Sequence, residues 1–251
     1  MKYYGITDRG LVRKNNQDSY VIATNQANDV FAIVADGIGG NSGGDIASNM
    51  TVSLFSGAFS ETVGFDSLEQ AKDWIERMIE TVNHEIYSYG ISHPKLKGMG
   101  TTLSGIMITP LGKLVVNIGD SRTYAWWNDG RFMQVTTDHS LVNDMIMHGE
   151  LTPDEAKKSP RKNVLTNALG VWQSVRGDIT VHQEKMDGIM ICSDGLHGYV
   201  DEKKIRSIIL NPDMDPSLRA RNLMKAALDA GGYDNVTVVL IDLEEDSHVL
   251  E

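Results

Sequence analysis

Short runs rich in β-branched and aromatic residues recur from one end of the chain to the other, and this repetition constrains the fold more than any other feature. They are YYGIT at 3–7, SYVIAT at 19–24, VFAIVA at 30–35, TLSGIMIT at 102–109, KLVVNIG at 113–119, TYAWW at 123–127, DITVHQ at 178–183, GIMICS at 188–193 and NVTVVLIDL at 235–243. Turn signals such as Pro110 with Gly112, and Asn128, Asp129 and Gly130, separate neighbours, and runs spaced this closely favour antiparallel hairpins. Helical periodicity is confined to a few blocks. Between residues 67 and 87, Ala71, Trp74, Ile75, Met78, Ile79, Val82 and Ile86 recur at helical spacing behind a Ser67/Gln70 capping box. A second helix is expected after Gly43. A third is expected over about residues 217–228, with Ala220, Leu223, Met224, Ala227 and Leu228 on one face. Blocks of strands punctuated by a few long helices imply an α+β layered domain, with sheets packed together and helices on their outer faces.

A chain of 251 residues holds one such domain with a substantial core. The net charge of −11 argues against nucleic acid as a partner, because that affinity rests on Lys and Arg displacing counterions. Phosphate chemistry remains open to an acidic chain if part of its charge is gathered where bound cations reverse the local sign. Cys192 is the one cysteine and sits in an apolar run, which reads as a small core residue. With no intrachain disulfide possible and no secretory or membrane-spanning apolar stretch, a cytoplasmic protein is expected.

The segment between Ser140 and Asn163 reads differently from the rest. One short helical stretch ends at Gly149, and Thr152, Pro153 and Glu155 open another with a cap, an N1 proline and an N3 acid. It has the character of an insertion. Its cluster of Lys157, Lys158, Arg161 and Lys162 is an ordinary solvated face or, in an acidic chain, an attraction for acidic phosphoprotein segments.

Three buried-looking runs end in aspartate: FAIVA leads into Asp36 and Gly37, VVNIG into Asp120, and IMICS into Asp194 and Gly195. Asp234 does the reverse and stands just before a run, so an antiparallel placement brings its carboxylate to the same sheet edge. Taken singly, an Asp-Gly pair is a turn. Carboxylates that converge repel one another, and an oxygen-rich cluster is the natural setting for hard cations such as Mg²⁺ and Mn²⁺. The histidines offer no competing zinc pattern.

Further motifs bracket these aspartates in order: RKNNQDS at 13–19, VADGIGG at 34–40, GTT at 100–102, NIGDSR at 117–122, TDHSL at 137–141, NALG at 167–170, CSDGL at 192–196 and DNVTV at 234–238. In this order and spacing the chain resembles the metal-dependent protein phosphatases of type 2C, particularly their compact bacterial members, over about residues 2–243. The resemblance implies an α-β-β-α sandwich: two packed, mainly antiparallel sheets covered by helices on both outer faces. It implies one phosphatase domain over 1–251, with a flap-like insertion at about 141–165. The implied activity is hydrolysis of phosphoserine and phosphothreonine in proteins by metal-activated water.

Residue by residue, the resemblance implies that Asp36 bridges two metals and the carbonyl of Gly37 completes one site. Asp194 and Asp234 complete the other, and Asp120 with Asp194 holds a third. Gln17 and Asp18 meet the metals through water, and Arg13 grips the substrate phosphate with its planar fork. The cofactors are then Mn²⁺ or Mg²⁺, about two to three ions per chain, a pair of which depresses the pKa of a shared water and orients it for in-line attack. Asp138 and His139 lie in a family motif with a structural or a catalytic role, and Ser121 shows no base partner that would make it a nucleophile.

Two departures stand out. Ile38 occupies the place of a histidine in animal members, so a side-chain general acid is absent there. Asn167 and His197 stand where relatives often have an arginine and a small hydroxyl residue, which bears on substrate preference. Expected partners are phosphorylated proteins and a cognate serine/threonine kinase with its substrates, and the chain is expected to be a monomer. Two alternatives stay open: a catalytically silent phosphoprotein-binding regulator, which would be marked by lost metal carboxylates, and a small-molecule phosphatase, separable by comparing peptides with metabolites.

Overall fold

The computed structural model describes residues 1–39 and 43–243; Gly40, which closes the VADGIGG motif, lies outside the described residues. The strands are β1 (Lys2–Asp8), β2 (Asp18–Thr24), β3 (Val30–Ile38), β4 (Gly100–Thr101), β5 (Leu103–Thr109), β6 (Gly112–Ile118), β7 (Arg122–Trp126), β8 (Phe132–Gln134), β9 (Asp178–His182), β10 (Gly188–Cys192) and β11 (Val236–Asp242). The helices are α1 (Gly44–Ser60), α2 (Leu68–Ser92), α3 (Leu141–Met147), α4 (Pro153–Lys158), α5 (Asp194–His197), α6 (Glu202–Ile209) and α7 (Pro216–Asp229).

One sheet runs β1-β11-β10-β7-β8 and the other β2-β3-β5-β6-β9, with β4 paired to β3. Neighbours are antiparallel, as in the register Lys2↔Asp242 to Asp8↔Val236 and Asp18↔Asp36 to Thr24↔Val30. The period of two along each strand builds the layers. On β3, Val30, Ala32 and Val34 meet Ile189, Ile191, Val239 and Ile241 of the facing sheet. The intervening Phe31 and Ile33 turn outward onto Phe55 and Phe59 of α1 and Ile75, Ile79, Val82 and Ile86 of α2. On the far side Met190, Cys192, Val238 and Leu240 face Ile205, Ile208 and Ile209 of α6 and Ala220, Leu223 and Ala227 of α7. The result is the α-β-β-α sandwich. Each fully buried large side chain among these contributes roughly 1.5–3 kcal/mol through removal from water.

The strand runs read from the sequence correspond to β1, β2, β3, β5, β6, β7, β9, β10 and β11. β8 and α6 were not anticipated, although Asp201 caps α6 through a bond from the Lys203 amide. The long helix runs past residue 87 to Ser92 and stops where His93 precedes Pro94, a residue pair that disfavours continued helix. Ser67 accepts from the Gln70 amide as expected of a cap, but the Gln70 side chain reaches back to the Asp66 amide at 2.6 Å. The reciprocal bond of a capping box is thus shifted one residue outward. At Thr152 and Glu155 the box is complete. Residues 141–165 hold α3 and α4, and the neck of this segment is closed by the Ser140↔Leu165 bridge and by Leu141 N donating to Val164 O at 2.8 Å.

Candidate active site

The alternation that sends Val30, Ala32 and Val34 between the sheets also sends Asp36 there, at the strand end where the apolar filling stops. Asp18 stands opposite Asp36 in the β2–β3 register. The facing sheet answers with polar groups at the same level. Ser193 Oγ and Thr237 Oγ1 donate to Asp18 Oδ2 at 2.7 and 2.8 Å. Antiparallel pairing of β10 with β11 sets the end of β10 beside the start of β11, so Asp194 and Asp234 reach one edge from opposite chain directions.

Here a cavity of about 450 Å³ opens, and its wall includes Arg13, Gln17, Asp36, Gly37, Asp120, Asp194 and Asp234. These are site residues expected from the sequence. Asp18 is buried behind this wall, 6% exposed. Arg13 donates to Asp234 Oδ2 at 2.7 Å, and this hydrogen bond holds its guanidinium above its ordinary pKa. Asp234 Oδ1 accepts from the Asn235 amide at 2.9 Å.

Burial, reinforced by neighbouring carboxylates, pushes the cluster upward. Asp18 lies at about 7, chiefly through desolvation and against the pull of Ser193 and Thr237. Asp120 lies at about 7 through desolvation and then the charge of Asp194. Asp194 lies at about 6 through desolvation and then Asp234. Asp36 is raised well above the carboxylate range by desolvation and then by Asp18, Asp194, Asp120 and Asp234.

The backbone around the carboxylates is held by residues whose roles the sequence did not disclose. Thr102 donates its amide to Asp36 O at 2.9 Å, Thr101 Oγ1 donates to the same oxygen at 2.9 Å, and Asp36 N donates to Thr102 Oγ1 at 2.9 Å. Ser121 bonds Thr102 Oγ1 at 2.7 Å, a structural use of its hydroxyl. Asn235 donates to Arg9 O and Asn15 O at 2.8 and 2.9 Å and accepts from Gln17 N at 2.8 Å, which staples the loop carrying Arg13. The advance signal for these residues is membership of the GTT, NIGDSR and DNVTV motifs.

His197 Nε2 donates to Asp120 O at 3.0 Å, and burial lowers its pKa to about 3, so it acts as a neutral strut. Asp138 takes the Arg122 fork, with Nη2 to Oδ2 at 2.7 Å, and Gln134 at 2.8 Å. His139 accepts from Gly119 N at 3.3 Å on Nδ1 and bonds Asp178 at 3.1 Å through Nε2. Asn167 donates to Arg176 O at 2.7 Å and bonds His139 Nδ1 at 3.2 Å. Gly37 and Gly44 abut, and a Cβ on Gly44 would fall 2.6 Å from Gly37 O. This contact demands glycine and seats the start of α1 against the cavity wall. Cys192 is fully buried with its thiol pushed up to about 12, which leaves it an inert core residue.

The donor set fits a hard divalent cation. Asp18 Oδ1 and Asp194 Oδ1 are buried without a hydrogen-bond partner in this structure, and several carboxylates too crowded to ionise together face one cavity. Among the described residues no group of three or more His, Cys, Asp or Glu side chains is so placed that it could hold a metal ion as it stands. Asp234 is turned toward Arg13.

The profile of the family described as protein phosphatase 2C matches residues 12–231. The chain is 39% identical over 237 residues to the serine/threonine phosphatase stp of Listeria innocua, covering 94% of this chain and 93% of that one. It is 35% identical over 242 residues to protein phosphatase PhpP of Streptococcus pneumoniae, covering 96% and 97%. The crystal structure of a bacterial serine phosphatase superposes with a TM-score of 0.91 at 31% identity, covering 98% of this chain and 99% of that one. The Mycobacterium tuberculosis serine/threonine phosphatase PstP/Ppp gives 0.83 at 32% identity, covering 97% and 98%.

Proposed function

This chain belongs to the protein phosphatase 2C family, and from that premise we propose that the Asp-lined cavity is where it hydrolyses phosphoserine and phosphothreonine with the help of divalent cations. It is a serine/threonine protein phosphatase acting on phosphorylated proteins, of a metal-dependent family. The observation that carries the site assignment is the meeting of Asp36, Asp120, Asp194 and Asp234 with Arg13 on one cavity.

In this reading Asp36 would be shared by two ions, one also held by the Gly37 carbonyl and the other by Asp194 and Asp234, and Asp120 with Asp194 would hold a third. Mn²⁺ or Mg²⁺ at about two to three ions per chain would supply an activated water and neutralise charge on the phosphoryl group. Gln17 and Asp18 act from behind, through water. Asp18, fixed by Ser193 and Thr237, supports the reading by offering an orphaned oxygen at the right level.

Arg13 has two alternative uses. The guanidinium now lies on Asp234, and it is the one cation among the residues lining the cavity beside the aspartates that is both planar and forked, suited to bidentate phosphate contact. Engagement of Asp234 elsewhere frees it for the substrate. Ile38 brings no titratable group to the cavity, so the departing alkoxide would take its proton from water in the site or from another group there.

We further read the chain as a single phosphatase domain with a flap at about 141–165, monomeric and cytoplasmic, opposing a serine/threonine kinase. The closed neck at Ser140 and Leu165 supports the flap. Among the described residues no helix is long and apolar enough to cross a membrane. The test is manganese-dependent phosphate release from a phosphothreonine peptide. Asp36→Asn is expected to lower kcat/KM by about a hundredfold or more, and comparable turnover by that variant would sink the assignment.

A further inference from the structure

Beside Arg13 exposed apolar side chains adjoin the otherwise polar mouth of the cavity. Leu11 and Val12 are 69% and 61% exposed, and Tyr233 is 55% exposed. Leu11 and Val12 donate their amides to Gly232 O at 2.8 and 3.2 Å, which fixes their backbone against the turn that precedes Tyr233. The Tyr233 ring packs on Tyr199 with centroids 5.6 Å apart, and Lys162, at the foot of the flap, lies 5.8 Å over the Tyr199 ring. Val12 also lines the catalytic cavity. Apolar surface therefore continues from the cavity wall outward. Single exposed apolar residues need no explanation, but adjoining ones beside a site mark a contact surface.

A chain spans only about 3.3–3.6 Å per residue, so a phosphorylated residue whose phosphate enters the cavity lays its neighbours on the cavity rim, of which this strip is one side. Arg13 and Lys162 flank the strip in a chain of net charge −11. A neutral apolar side chain next to a phosphate dianion complements that pattern.

We propose that Leu11, Val12, Tyr199 and Tyr233 form a docking ledge for an aromatic or branched aliphatic side chain flanking the phosphorylated serine or threonine of the protein substrate. The proposal rests on the phosphatase reading above and deepens it. The ledge selects among phosphoproteins by what stands beside the phosphate, and it is idle toward a substrate with no flanking residues.

The test uses the full chain with Mn²⁺ and phosphothreonine peptides that differ only in the flanking residue, Phe, Leu, Ala or Asp, with p-nitrophenyl phosphate as the substrate lacking neighbours. The wild type should favour the Phe and Leu peptides over Ala by about tenfold in kcat/KM, mainly through KM. Leu11→Ser combined with Tyr233→Ser should abolish that preference and leave p-nitrophenyl phosphate turnover near the wild-type value. If the double variant does not fold, Leu11→Ser alone should reduce the preference, and the wild-type peptide series decides independently of any variant. Equal rates across the series, or a preference for Asp, overturns the ledge while the phosphatase reading stands. No turnover of any phosphopeptide overturns that reading and the ledge with it. A dimer in sedimentation that Leu11→Ser dissolves assigns the surface to a second copy of the chain and likewise overturns the proposal.

Discussion

At the scale of single residues, the site depends on groups in its wall that hold the backbone of other site residues in place. Asn235 closes three hydrogen bonds to the loop at residues 9–17 with one side chain. Asn235→Ala leaves three backbone groups without partners and should cost about 1–3 kcal/mol, seen as a lower urea midpoint. Peptide KM should rise with it, because the loop carries Arg13. An unchanged midpoint would show that the staple is dispensable. Thr102 plays the same part for Asp36, since its hydroxyl accepts the Asp36 amide and also engages Ser121. Thr102→Val keeps the shape and removes both bonds, so manganese affinity by titration calorimetry should fall by about 10–100-fold, in the range set by loss of a group that orients a ligand. Retained affinity would mean that the Thr101 hydroxyl and the Thr102 amide, both donating to Asp36 O, suffice.

At the scale of elements, packing between the end of β3 and the start of α1 sets the wall of the cavity. A methyl on Gly44 would press on the Gly37 carbonyl, and insertion into a filled space costs about 1–3 kcal/mol. Gly44→Ala should therefore lower the melting temperature and weaken metal binding together. A variant that melts earlier yet binds manganese unchanged would detach α1 from the site. At the start of α2 the Ser67 hydroxyl caps the Gln70 amide. Ser67→Ala should cost about 1 kcal/mol of stability and leave activity intact, because that helix end is packed on the core and not on the cavity. The capping pattern also shows the reach of sequence reading. Ser67, Thr152 and their i+3 partners were legible from local chemistry, whereas the Gln70 contact moved to Asp66 through a local geometry no motif encodes. α6 was missed although its Ile205, Ile208 and Ile209 face the core, because the run is short and heavily charged.

At the scale of the whole molecule, gathering carboxylates at one end of the inter-sheet core makes stability depend on pH and on cations. Asp18 and Asp120 lie at about 7 and Asp194 at about 6, against an ordinary value of 3.8. Raised folded values mean that the folded state holds protons the unfolded state has lost. Their stabilisation is full below about pH 4 and disappears as pH rises through about 6–7. His197 acts in the opposite sense, because its pKa lowered to about 3 is stabilising above about 6.5 and lost on acidification. The several carboxylates outweigh it, so in a chelator the melting temperature should fall from about pH 5 to about pH 7.5. Mn²⁺ at a hundred times its dissociation constant should restore about 2.7 kcal/mol per site, with a larger gain at the higher pH because the ligands are then ionised. A melting temperature insensitive to manganese at pH 7.5 would contradict a metal centre in this cavity.

The sequence by itself determined the layered α+β plan, because strand alternation and helical stripes are local patterns that hydrophobic burial must satisfy. It also determined the identity of the aspartates, since each stands at the boundary of an apolar run. Only the tertiary structure decided that β10 and β11 lie antiparallel with β3 across from them, which gathers carboxylates separated by nearly the whole chain onto one cavity. It also decided that Arg13 rests on Asp234, that Asn235 and His197 act as struts, and that Leu11 is tied to Gly232, next to Tyr233. The physical reason is range: periodicity and capping are written within a few residues, whereas desolvation, charge repulsion and loop anchoring arise between segments that meet only when the sheets pack.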